Sequence, residues 1–92
     1  MEENNEHKGL TFNIIRDELN KLDPMKLYPG TICPIDEYDP EVAMILAILK
    51  KDLSYIELSK NISEIFSQMF GNFFSEKLFY NCAKKILEQL NK

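Results

Sequence analysis

Four carboxylates crowd one short stretch of this chain: "PIDEYDPE", Pro34 to Glu41, carries Asp36, Glu37, Asp39 and Glu41 around Tyr38. Acids at this density have four chemical uses: metal ligation, acid–base catalysis, helix capping, or attraction of a basic partner. A calcium loop needs oxygen ligands at alternating positions and a glycine at the sixth. Counted from Asp36, the third residue is Tyr38, the fifth Pro40 and the sixth Glu41, so the pattern fails. An improvised divalent site from Asp36, Glu37 and Asp39 is the weaker metal alternative. Catalysis by paired carboxylates needs one buried and one solvated acid in a cleft. The chain adds no second polar cluster, phosphate cradle or nucleophile motif that would build one. No catalytic residue, metal site or cofactor is therefore expected.

The capping reading accounts for part of the run. Asp39 caps a helix, Pro40 takes its first position, and Glu41 sits at the positive end of its dipole. Asp36, Glu37 and Tyr38 are left over. Asp36 and Glu37 read either as solvated loop charges or, with Tyr38, as a binding surface for a basic protein, with Tyr38 and Tyr28 as aromatic anchors and Asp39 and Glu41 completing it. The cysteines add little chemistry. Cys82 falls at an apolar helical position, Cys33 lies in a loop with nothing in sequence to activate it, and the sole histidine, His7, lies near the N-terminus.

Charge supports the partner reading. Residues 1–41 hold ten acids against four bases, and residues 42–92 hold five against seven. An acidic front repels nucleic acid and draws cations, so no nucleic-acid role is expected. The longest apolar run, "VAMILAIL", is eight residues, far below the roughly 20 that span a bilayer, and no membrane role is expected. A polar, acidic opening is unlike a secretory signal, and the expected compartment is cytoplasmic.

The elements that must position these residues are helical. A stripe of Phe12, Ile15, Leu19 and Leu22 predicts a helix over 10–22, stopped by Pro24. Residues 1–9 read as a flexible acidic tail ahead of a single domain, 10–92. "DPMKL" suggests a short helical turn at 24–27 capped by Asp23. A long loop follows at 28–39, with Pro29 and Gly30 suited to a type II turn. The second helix, 40–51, is apolar on every face and reads as the central, most buried one, closed by Lys50 and Lys51. Ser54 and Glu57 have capping-box spacing and open a third helix over 55–70 that ends at Gly71. The short joint between the two makes them a hairpin. A last helix runs over 75–90, with Leu78, Cys82, Ile86 and Leu90 in one buried row. The fold class is all-α, a compact four-helix domain. Phe70, Phe73 and Phe74 at the end of the third helix are core or, facing outward, a self-association patch.

"LDPMKLYPGTICPIDEYDPEV" with "ELSKNISEIFSQMFG" resembles a family of small proteins from Bacillus-type bacteria classed as a domain of unknown function. The shared marks are the Asp23-Pro24 step, the Asp36 to Asp39 run, and the Ile65-Phe66…Phe70-Gly71 ending, within residues 12–71. Leu22 departs from the pattern, standing where many relatives carry tryptophan. In size and acidity such proteins are similar to immunity proteins that neutralise toxins. The long loop with Asp36, Glu37 and Tyr38 and the acidic front half, taken with that analogy, lead to the expectation of a non-catalytic protein-binding domain, in concrete form an immunity-type inhibitor of a basic toxin. The alternative is a small homodimeric structural or regulatory adaptor.

Overall fold

Four helices close into a ring in which each element packs only on its two neighbours. The computed structural model describes residues 2–50 and 52–91, with side chains from residue 9 onward. The helices are α1 (Glu2–Leu22), α2 (Asp39–Ile48), α3 (Tyr55–Phe70) and α4 (Tyr80–Leu90), with a 3-10 turn, Glu76–Phe79, leading into α4. α1 packs on α2 and α4, and α3 packs on the same two helices, so α2 and α4 face each other across the core. No strand occurs among the described residues, and no helix is long and apolar enough to cross a membrane. The radius of gyration, 12.7 Å, is close to the about 12 Å of a folded chain this long.

Local signals explain most element ends. Ser54 is extended at the N-cap of α3 and its hydroxyl accepts the Glu57 N–H at 3.1 Å, while Gly71 closes the helix in the left-handed region at φ +70°. α1 ends where Asp23 turns left-handed at φ +51°, its N–H donating to the Leu19 carbonyl at 2.7 Å. Aspartate tolerates that conformation better than most residues.

Several expectations are corrected. The helix expected to begin at 10 begins at Glu2, so residues 2–9, read as a tail, are helical backbone; Met1 and the side chain of His7 lie outside the described residues. The segment 24–27 makes one β-turn, closed by the Lys26 N–H on the Asp23 carbonyl at 3.0 Å, and no helix. α2 is not central. Only Glu41, Val42 and Ile45 are buried, Ala43 and Ala47 face solvent, and the helix stops at Ile48 because Leu49 is extended. Lys50 therefore lies past its last turn, and Lys51 is outside the described residues. Leu78 is exposed and Phe79 fully buried in its place, because the 3-10 turn advances each residue by about 120° rather than 100°.

The core centres on Phe66. Its ring lies 5.3 Å from Phe79, 5.5 Å from Phe70, and 5.8 Å from both Phe74 and Tyr38, centroid to centroid. Ile15, Leu19, Val42, Ile45, Leu58, Ile62, Ala83 and Ile86 complete it, with Leu53 plugging the α2–α3 joint. Cys82 is buried among them, and burial pushes its thiol up to about 12.

Candidate functional site

The loop from α1 to α2 is held at its two feet by one hydrogen-bonded clasp. At the first foot the Asp23 carboxylate accepts the N–H groups of Leu27 at 2.8 Å and Tyr28 at 3.0 Å. From the second foot the Tyr38 hydroxyl donates to the same carboxylate at 2.7 Å and accepts the Met25 N–H at 2.9 Å. The Tyr38 ring is fully buried against Phe66. Burial works against a charge on Asp23, but its hydrogen bonds with Tyr38, Leu27 and Tyr28 outweigh it and hold the carboxyl below its usual range. Burial and the Asp23 bond both raise the Tyr38 phenol, so it stays a neutral donor.

The clasp overcomes local strain. Asp23, Lys26 and Tyr28 all have left-handed backbones, at φ +51°, +54° and +54°. For residues with a Cβ this persists only where the surroundings impose it. Beyond Tyr28 the chain makes the expected turn: Gly30 is at φ +88°, and the Tyr28 carbonyl accepts the Thr31 N–H at 3.1 Å and the Thr31 hydroxyl at 2.9 Å. The Gly30 N–H returns to the Cys33 carbonyl at 2.8 Å, closing a short bridge between Pro29 and Cys33. Farther on, the Asn20 side chain of α1 donates to the Ile35 carbonyl at 3.0 Å. Tyr38, Met25 and Leu27 tie the feet of the loop to the core, and between them Tyr28, Ile32, Ile35, Asp36 and Glu37 are left exposed.

The expected site residues separate into two groups. Tyr38 is corrected: it is a core residue, not a surface anchor, because its hydroxyl is consumed by the clasp and its ring by Phe66. Asp39 is corrected as a cap. It is the first residue of α2, whose N-cap position has no side-chain cap bond, and its carboxylate instead pairs with the Arg16 guanidinium, Arg16 Nε lying 2.8 Å from Oδ1. Glu41 is corrected as part of that surface; it is 3% exposed and its Oε1 has no partner. Asp36, Glu37 and Tyr28 remain exposed. Two residues missing from the sequence reading join them, Ile32 at 79% and Ile35 at 57% exposure, beside Tyr28 at 55%. Their only signal was two isoleucines flanking a Cys-Pro step in a stretch with no period.

An apolar trio with two exposed acids on a pinned loop has the make-up of a binding surface. Among the described residues no three of His, Cys, Asp and Glu converge to hold a metal ion, and Asp39 is already occupied by Arg16. Cys33 is half-buried with its S–H toward the Pro34 carbonyl, and burial together with the charges of Glu37, Asp23 and Asp36 raises its thiol, which makes it a poor nucleophile.

Glu41 gives the loop's second foot a pH dependence. Burial first, and the nearby Glu37 charge second, raise its carboxyl above the ordinary range. A raised acid favours the folded state most at low pH, and that contribution is lost as pH climbs from the unfolded value, about 4.3, through the folded one. Glu41→Gln carries no charge to bury. Its thermal midpoint is expected to match the parent near pH 4 and to exceed it at pH 7, by about 1 kcal/mol of stability; equal midpoints at both pH values would contradict this.

No family model, curated protein or solved structure matches the chain.

Proposed function

We infer that this chain is a non-catalytic protein-binding domain that docks a basic protein on its α1–α2 loop. In its most concrete form it is an immunity-type inhibitor that occludes a basic toxin. The observation that carries the reading is the exposure of Tyr28, Ile32 and Ile35 on the same pinned loop as Asp36 and Glu37. Apolar side chains supply the desolvated centre of an interface and acids its polar rim. Fixing the loop beforehand reduces the entropy lost on docking.

The assignment to the small Bacillus-type family is part of the proposal. Its three marks share a physical basis here: Asp23 of the Asp-Pro step, Tyr38 of the acidic run and Phe66 of the helix ending touch one another in sequence, Asp23 to Tyr38 to Phe66. Tyr38 and Asp39 of the acidic run are therefore needed by the fold. Asp36 and Glu37 are not, which frees them for a partner.

Asp36→Lys with Glu37→Lys tests the reading. Against a purified basic toxin encoded beside the gene, the association rate at low salt is expected to fall about tenfold or more, and the difference to shrink as salt screens the rim. Ile32→Asp should act mainly on dissociation. Surface plasmon resonance separates the two, and unchanged binding in both variants would remove the loop as the docking site.

A further inference from the structure

The turn after α3 aims one aromatic ring into solvent. Gly71 reverses the chain at φ +70°, and the Phe74 N–H donates to the Ser67 hydroxyl at 3.1 Å. Phe74 thereby turns inward, packing on Phe66, Phe70 and Phe79. Its neighbour Phe73 turns outward and is 88% exposed, the most exposed large apolar side chain of the described residues. Beside it runs an open groove of about 390 Å³, lined by Phe73 and Phe74 together with Lys60, Glu64 and Glu76. A cavity of about 150 Å³ already holds a benzene ring, so this groove has room for a phenyl side chain.

We propose that the groove receives Phe73 of a second copy of this chain, forming a two-fold dimer. Knob and hole lie side by side on one face, which is the arrangement an isologous interface requires. The rim is self-complementary as well. Lys60 carries one sign and Glu64 and Glu76 the other, and none of the three is ion-paired with another described residue, among which the ion pairs are Arg16–Asp39 and Glu18–Lys21. A two-fold axis beside Phe73 places Lys60 of each copy against the acids of the other. Phe70 and Phe74, half-buried in the Phe66 cluster, support the face from beneath and do not reach across it.

The dimer is independent of the α1–α2 loop and gives the chain two copies of it. Sedimentation equilibrium on the full chain at micromolar concentration is expected to show a dimer. Phe73→Ala removes one ring from each half and should weaken dimerisation by about a hundredfold. The thermal midpoint of the monomer should stay unchanged, because the exposed ring supports nothing in its own chain. Lys60→Glu leaves only acids at the rim and should weaken self-association, and mixing it with Glu64→Lys should give the heterodimer in preference to either homodimer, since the mixture sets a lysine against a glutamate at both 60–64 contacts across the axis. Asp36→Lys with Glu37→Lys should leave the dimer intact, so failure of the loop reading and failure of this one are separately visible. A monomeric parent chain at micromolar concentration, or a dimerisation constant unchanged by Phe73→Ala, overturns the proposal.

Discussion

Phe66→Ala is expected to lower stability by about 3–5 kcal/mol, which is much of what a small domain possesses. The ring is fully buried and meets Tyr38, Phe70, Phe74 and Phe79 within 5.8 Å. Those partners come from the loop foot, the end of α3, the following turn and the 3-10 turn, so they cannot move inward together to fill the space. Phe66→Leu keeps most of the volume and should recover a large part of the loss. Urea unfolding gives both values. A cost below about 1 kcal/mol for the alanine variant would mean that the cluster repacks freely and that Phe66 is not its centre.

Tyr38→Phe is the second large effect, at about 2–3 kcal/mol. The ring and its packing on Phe66 are kept, while the hydroxyl that joins Asp23 to the Met25 N–H is lost. A hydrogen bond to a charged acceptor is worth about 1.5–3 kcal/mol, and a buried N–H left without a partner adds to the cost. Asp23→Ala should cost as much or more, since it also frees the Leu27 and Tyr28 amides and places alanine in a left-handed backbone. Because both changes remove the same bond, the double variant should fall short of their sum by more than 1 kcal/mol, roughly. Amide exchange separates the two: Leu27 and Tyr28 should stay protected in Tyr38→Phe and exchange rapidly in Asp23→Ala. Acid provides a further readout. A depressed carboxyl contributes stability above its unfolded value, about 3.9, and that contribution disappears as pH falls through the folded one. The parent should therefore lose more stability on acidification than Asp23→Ala, and parallel pH profiles would contradict the clasp.

Where an element is set by neighbours in sequence, it was legible. α3 runs from Tyr55 to Phe70 as expected, because the Ser54–Glu57 box and Gly71 are local devices. The all-α class and the Pro29–Gly30 turn were readable for the same reason. Asp39 shows the opposite case. An Asp-Pro step is a sound cap signal, but Arg16, 23 residues earlier, takes the carboxylate. Tyr38, an aromatic among acids, reads as a surface residue until its partner 15 residues earlier is known. α2 looked buried on all sides from composition, yet a ring of four helices leaves each one an outer face, and alanines occupy this one. The candidate site was legible as a place, the long loop, and as three of its exposed residues, Tyr28, Asp36 and Glu37. Ile32 and Ile35 were not, because an apolar residue outside any period has no face assigned to it.

Because Asp23 and Tyr38 bolt the two ends of the loop together, the exposed side chains between them can be exchanged without touching what holds it. The positions of Ile32, Ile35, Asp36 and Glu37 project from a backbone fixed at both feet. Randomising those four codons, with Gly30, Thr31 and the clasp untouched, would turn the protein into a small disulfide-free library scaffold whose variants share one melting behaviour and differ in what they capture.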